Sequence, residues 1–107
     1  MSVFVYRAVT QWEYDDIISQ NYQFRPSVKH SSLEAKLFTY DLDCGHYYGR
    51  AIVQQFDNVD YILLKVNVPN NNYFEPARQM DDCDAVSVNY DDLDAFNKSI
   101  IEISKIN

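Results

Sequence analysis

Three clusters of side chains in this sequence have types and spacings that suit chemistry. The first is a single arginine inside Val3-Phe-Val-Tyr-Arg-Ala-Val9, a run otherwise apolar. Read as a strand, it puts Val3, Val5, Arg7 and Val9 on one face and Phe4, Tyr6 and Ala8 on the other, both apolar enough to be buried. A buried guanidinium must be paired, or held ready for an anion. Arg7 is then either a clamp that fixes a phosphate or ribose by a forked contact, or half of a salt bridge to one of the sixteen acids. Position alone favours the salt bridge; the expectation taken to the structure is a guanidinium facing a concave, aromatic-lined pocket.

The second cluster is Ser31-Ser-Leu-Glu-Ala-Lys-Leu-Phe-Thr-Tyr40. Alternation puts Lys36, Phe38 and Tyr40 on one strand face, where a cation and two rings can line a wall and stack a flat, positively charged heterocycle. The plainer reading is an exposed lysine beside two core aromatics. The third cluster, Asp81-Asp-Cys-Asp-Ala-Val86, places carboxylates just before a strand, either aimed into a cleft or simply solvated.

Other chemistries find little footing. His30 and His46 stand sixteen positions apart with no cysteine at ligand spacing, which argues against zinc. Gly45 and Gly49 are the only glycines, so there is neither a phosphate-binding loop nor a dinucleotide fingerprint. Cys44 and Cys83 are too few for a disulfide scaffold, and the expectation is two free thiols in a reducing compartment, with a single disulfide as the alternative.

The elements that must position these residues can be read from periodicity. Thr10-Gln-Trp-Glu13 has the form of a capping box and opens a helix carrying Tyr14, Ile17 and Ile18 on one face, with Asn21 as its end. Phe24 is a short extended piece, Arg25-Pro26-Ser27 a turn, and Ser27 to Ser32 an exposed loop. Leu33 to Tyr40 alternates as a strand. Asp41 caps a short helix with Tyr47, Tyr48, Ala51 and Ile52, weakened by its glycines. Gln55 to Asp60 is a turn. Tyr61 to Val68 is the strongest strand, stopped by Pro69 and three asparagines. A long connection from Asn70 to Asp82 leads to a strand at Ala85 to Tyr90. Asp91 opens a closing helix whose stripe is Leu93, Phe96, Ile100 and Ile103. Strands this numerous with short crossings suit an α+β fold: one small domain over residues 1–107, with a split or strongly bent mixed sheet flanked by about three helices.

The chain has 107 residues and a formal net charge of −7, which disfavours nucleic acid as a partner. No apolar run approaches the roughly 20 residues of a membrane span, and no secretory signal is visible at the N-terminus. The acids gather at 13–16, 41–43, 81–84 and 91–94, mostly where helices begin, so capping and solubility explain them better than a nucleic-acid-mimicking stripe. Nine Tyr, six Phe and one Trp provide rings suited to clefts and interfaces.

The succession Val-Tyr-Arg-Ala-Val, a helix with Glu and Ile-Ile, Phe-Arg-Pro-Ser, then Ser-Leu-Glu-Ala-Lys-Leu-Phe-Thr resembles small ADP-ribosyltransferase-like domains of polymorphic (Rhs-type) bacterial toxins and effectors. The resemblance covers residues 3 to 68 and fades beyond. It implies NAD as substrate, bound between two half-sheets, and transfer of ADP-ribose to a target macromolecule. On that pattern Arg7 clamps phosphate or ribose, Ser31, Ser32 and Lys36 line the cleft, and Phe38 and Tyr40 stack on the nicotinamide. Asp84 is the implied acid, in Asp82-Cys-Asp84 where active members carry Glu-x-Glu. Aspartate is a methylene shorter, and a misplacement near 1 Å costs about a hundredfold in rate; Glu75, in Tyr73-Phe-Glu-Pro76, is the rival. The competing reading is a binding module: a catalytically silent relative, or an acidic immunity or inhibitor protein that occupies a partner's surface. The expected setting is the cytoplasm, or delivery into a target cell, with no membrane partner.

Overall fold

The computed structural model describes residues 2–25, 35–55, 58–77 and 82–106. The serine-rich stretch with Ser31 and Ser32, part of the expected turn at 55–60, and Asp81 lie outside them. In chain order the elements are β1 (Val3–Val9), α1 (Gln11–Ser19), β2 (Ala35–Phe38), α2 (Leu42–Tyr48), a π-helical turn (Gly49–Gln54), β3 (Ile62–Val68), β4 (Glu75–Pro76), β5 (Val86–Asn89), α3 (Tyr90–Ser99) and β6 (Glu102–Lys105).

The fold is α+β and its sheet is split, as the pattern of elements implied. One half runs β1-β3-β6 and the other β2-β5-β4, and every pairing among the described residues is antiparallel, which corrects the expectation of a mixed sheet. The halves meet where Tyr6 of β1 bridges Thr39 at the end of β2. β1 and β3 pair along their whole length, from Val3 opposite Val68 to Val9 opposite Ile62. Their inward residues Val5, Val9, Leu64 and Val66 join Phe38 and Val88 of the other half-sheet, Ile17 of α1, and Leu93 and Phe96 of α3 in one core. The other face of β1 is less covered than its apolar residues suggest, and Phe4 is exposed.

Local chemistry sets the helix ends. Thr10 caps α1 by accepting the Glu13 N–H at 3.2 Å. Asn21 ends it in the left-handed region (φ 59°), with Asn21 N–H on the Ile18 carbonyl and Tyr22 N–H on the Ile17 carbonyl, the paired closure of a Schellman motif. Asp41 caps α2 through the Asp43 N–H. The two glycines that weaken helix propensity there are needed for packing. A Cβ at Gly45 would stand 2.9 Å from Leu63 Cδ1 and 3.1 Å from Tyr6 Cβ.

Two sequence expectations fail at the C-terminal end. The closing helix stops at Ser99, Ile100 is extended (ψ 129°), and residues 102–105 form β6 against β3. Ile100 and Ile103 therefore share no helical stripe with Leu93 and Phe96. Ile100-Ile101-Glu102-Ile103 is β-branched at three of four positions, and β3 would otherwise present an open edge. The long connection after Asn70 also holds a two-residue strand, β4, which pairs Glu75 with Ser87.

Candidate functional site

The seam between the half-sheets gathers most of the candidate residues. Arg7 lies two residues from the end of β1, and α1 starts just beyond, so the first turn of that helix folds back over the strand. Glu13 in that turn meets the guanidinium side-on: Arg7 Nε–H donates to Oε2 at 2.8 Å and an NH2 hydrogen to Oε1 at 3.0 Å. A third bond runs from NH1 to the Leu37 carbonyl of β2 at 2.9 Å. The guanidinium thus points at a structural carboxylate, contrary to the pocket-facing orientation expected of it. The capping box is half-formed for the same reason, because Glu13 receives the guanidinium while its own N–H serves Thr10. Of the five guanidinium N–H groups, these contacts use three.

Lys36 corrects both sequence readings. It is neither an exposed lysine nor part of an open wall, but is 2 % exposed, with Nζ 3.6 Å from Glu13 Oε2. Two cations therefore share one carboxylate at the edge of the core. Burial pushes the Lys36 amine down to about 8, Arg7's like charge adds to this, and Glu13 offsets part of it. Burial alone would raise the Glu13 carboxyl, but Arg7 and Lys36 outweigh it and hold the carboxyl below its ordinary value.

Phe38 points inward. Its ring meets Phe24, Phe96 and Phe74 at centroid distances of 5.5, 5.5 and 5.7 Å, and the Arg7 guanidinium carbon lies 5.9 Å from its centre. A ring so enclosed is a floor under Arg7, with no open face on which a ligand ring can lie. Tyr40, by contrast, is 40 % exposed and rests edge-on to Phe74 at 6.0 Å. The expected aromatic wall therefore separates into a buried ring and an exposed one, because the backbone bends away from strand pairing after Thr39.

Asp84 comes to the seam from the other side of β2. Its carboxylate accepts Thr39 Oγ1–H at 2.9 Å and the Tyr40 N–H at 3.0 Å. It is engaged, neither solvated nor free in a cleft. Glu75 lies apart, exposed on β4 and bound to Asn89 Nδ2 at 2.9 Å. Two strand spacings, about 10 Å, separate β4 from β2, so Glu75 does not join the cluster. Arg7 and Asp84, 77 positions apart in sequence, converge on four consecutive residues of the seam, Leu37 to Tyr40, and Lys36 just before them shares Glu13 with Arg7.

Behind Asp84, Cys44 and Cys83 form a disulfide, correcting the expectation of free thiols. Low cysteine count disfavours a scaffold of bridges but does not forbid one bridge between an element start and a loop. The Tyr48 hydroxyl lies 2.8 Å from the Cys83 carbonyl and 3.1 Å from that of Asp84, tying the same segment to α2.

Glu13 and Thr39 are the functional neighbours that the sequence reading passed over. Glu13 was legible: an acid in the first turn of a helix that follows the strand of Arg7 by a single loop residue is placed to pair with it. Thr39 carried no such signal. Among the described residues no three His, Cys, Asp or Glu converge as a metal site, and no helix is long and apolar enough to cross a membrane. Two open grooves lie elsewhere: one of ≈340 Å³ beside Tyr22, Asn97 and Ile101, the other of ≈420 Å³ beside Gln54 and Asp60. No family model, curated protein or solved structure matches the chain.

Proposed function

We propose that this chain is an ADP-ribosyltransferase-like toxin or effector domain that binds NAD at the seam of its split sheet and passes ADP-ribose to a target macromolecule. The observation that supports this reading is the convergence of an arginine, an exposed tyrosine and a carboxylate on residues 37–40, between two half-sheets. In this scheme the two Arg7 N–H groups left over from Glu13 and Leu37 take a phosphate oxygen or ribose hydroxyl. Tyr40 offers a ring face to the nicotinamide. The Asp84 carboxylate, held by Thr39 and Tyr40, faces the positive charge that develops at the ribose carbon as the glycosidic bond breaks; a group fixed beforehand stabilises such charge without reorganising. A disulfide suits a protein that passes through an oxidising compartment on delivery.

A second reading, a catalytically silent relative or acidic module that occupies a partner protein's surface, draws on a different observation. Arg7 is forked by Glu13 and Phe38 is sealed in the core, so a dinucleotide finds its clamp partly used and one of its two rings missing. Titration calorimetry with NAD up to about 1 mM, the upper range of ordinary KM values, together with an assay for free nicotinamide, separates the two. Binding with slow nicotinamide release, lowered by Asp84→Asn at unchanged affinity, is the outcome expected of the enzyme. Absence of both binding and release leaves the surface-acting module.

A further inference from the structure

We infer that the Cys44–Cys83 disulfide is a redox latch on the segment that carries Asp84, and that its reduction loosens the seam locally while the main sheet stays folded. As a control on catalysis this rests on the NAD reading above; as a structural device it does not.

Among the described residues, four attachments hold the segment at residues 83–85. The disulfide ties Cys83 to α2, the Tyr48 hydroxyl lies on the carbonyls of Cys83 and Asp84, the Asp84 carboxylate takes Thr39 and Tyr40, and the Ala85 carbonyl accepts the Ala77 N–H at 2.9 Å. The first two anchor the backbone from behind and the third fixes the carboxylate in front. Asp41, which caps α2, follows Tyr40 directly, so residues 40–44 and 83–84 close a ring with the disulfide on one side and the Asp84–Tyr40 bond on the other. Cutting the covalent side leaves the carboxylate's orientation to hydrogen bonds alone.

The effect is local because the bridge lies outside the main core. Cys44, Tyr48 and Ala85, with Leu37, Tyr47, Ile52, Ala77 and Cys83 around them, form a separate small cluster. The larger cluster built on β1, β3, α1 and α3 contains neither cysteine. Cys44 is buried and Cys83 partly exposed, so an incoming thiolate reaches the Cys83 sulfur first. A dithiol reductant forms a mixed disulfide there and displaces Cys44 as a thiolate, which takes a proton. The reductant's second thiolate then displaces Cys83, likewise protonated. Two electrons pass to the protein, leaving two protein thiols and one disulfide on the reductant.

Amide hydrogen exchange on the oxidised protein, the dithiol-reduced protein and the Cys44→Ser/Cys83→Ser variant tests this, with nicotinamide release followed in parallel. The latch predicts exchange at Tyr40 and Ala77 faster by about tenfold or more in the reduced and variant proteins, with β3 amides still protected. Unchanged exchange at Tyr40 and Ala77 overturns it. Loss of protection throughout also overturns it, because the bridge is then a general staple. If the segment loosens and nicotinamide release falls, both the latch and its control of the site stand. Release unaffected by loosening overturns the control. Loosening with no release in either redox state leaves the latch standing and removes the NAD reading.

Discussion

The side chain of Asn97 stands in for a β-strand beside Phe24. The Phe24 N–H donates to Asn97 Oδ1 at 2.8 Å, and Asn97 Nδ2–H donates to the Phe24 carbonyl at 2.7 Å, across 73 positions of sequence. Both backbone groups of a residue that is 1 % exposed are thereby satisfied without a neighbouring strand. The contact brings the chain from the turn after α1 into the core, where Phe24 meets Phe38 and Phe96.

Asn97→Ala removes both partners and leaves a buried N–H and C=O unpaired, at an expected cost of about 2–4 kcal/mol from two such groups. Asn97→Asp keeps the acceptor but sets a carboxylate oxygen against the Phe24 carbonyl, and is expected to be no better. Urea unfolding of the two variants checks this; a loss under about 0.5 kcal/mol for Asn97→Ala, the range of an ordinary surface change, would contradict it.

Glu13 is the common anion of two cations. Glu13→Gln leaves Arg7 and Lys36 facing each other without a carboxylate, and stability is expected to fall by about 3–5 kcal/mol. Glu13→Gln/Lys36→Met removes the surplus cation as well and should recover part of that loss. If the double variant is less stable than the single, the repulsion assigned to the Arg7–Lys36 pair is wrong.

Lys36 gives the protein a basic-side pH dependence. Its folded amine titrates near 8, below the ordinary 10.5. Between those values the unfolded chain holds more protons than the folded one, so this group's contribution to stability rises as pH climbs from about 8 to about 10.5. The readout is the difference between wild type and Lys36→Met, measured at pH 7.5 and 9.5, in which the groups common to both cancel. The difference should move in favour of wild type at the higher pH. On the acid side Glu13 acts with the same sign: its depressed carboxyl stabilises above its ordinary 4.5, and that contribution is lost as pH falls through the folded value.

Gly49 lies against the Tyr61 ring, where a Cβ would come within 2.4 Å of Cδ2. Helix propensity alone would make Gly49→Ala stabilising by up to about 1 kcal/mol. The clash falls on the stem of a ring whose hydroxyl is held by His46 Nδ1 at 2.8 Å, so a net loss of about 1–3 kcal/mol is expected. Thermal melts of Gly49→Ala and of Gly49→Ala/Tyr61→Leu should show the loss in the first and its partial relief in the second.

The strands and helix starts were legible where local chemistry speaks for itself. Thr10 and Asp41 announce their caps, and Ile62 to Val68 announces a central strand. The inward face of β1 was also readable from alternation, including Arg7. Partners distant in sequence were not: nothing local tells Asp84 that it will meet Thr39 and Tyr40, or Cys44 that it will meet Cys83. Lys36 was misjudged because a lone cation on a mixed strand is usually solvated, and only the approach of α1 supplies the carboxylate that lets it be buried. Ile100 to Ile103 was misjudged because four residues satisfy a helical stripe and a strand equally well.

The bridge between Tyr6 and Thr39 pins two plates together, braced by the Arg7–Leu37 hydrogen bond and the Lys36–Glu13 ion pair beside it. Tyr6 N–H donates to the Thr39 carbonyl at 2.7 Å and Thr39 N–H to the Tyr6 carbonyl at 3.0 Å, whereas β1 and β3 are laced along seven residue pairs. Beneath the pin one core takes Val5 and Leu64 from one half and Phe38 and Val88 from the other. Arg7 and Tyr40 each adjoin the pin, one on either plate. A tilt of one plate against the other would therefore change the distance between Arg7 and Tyr40 directly.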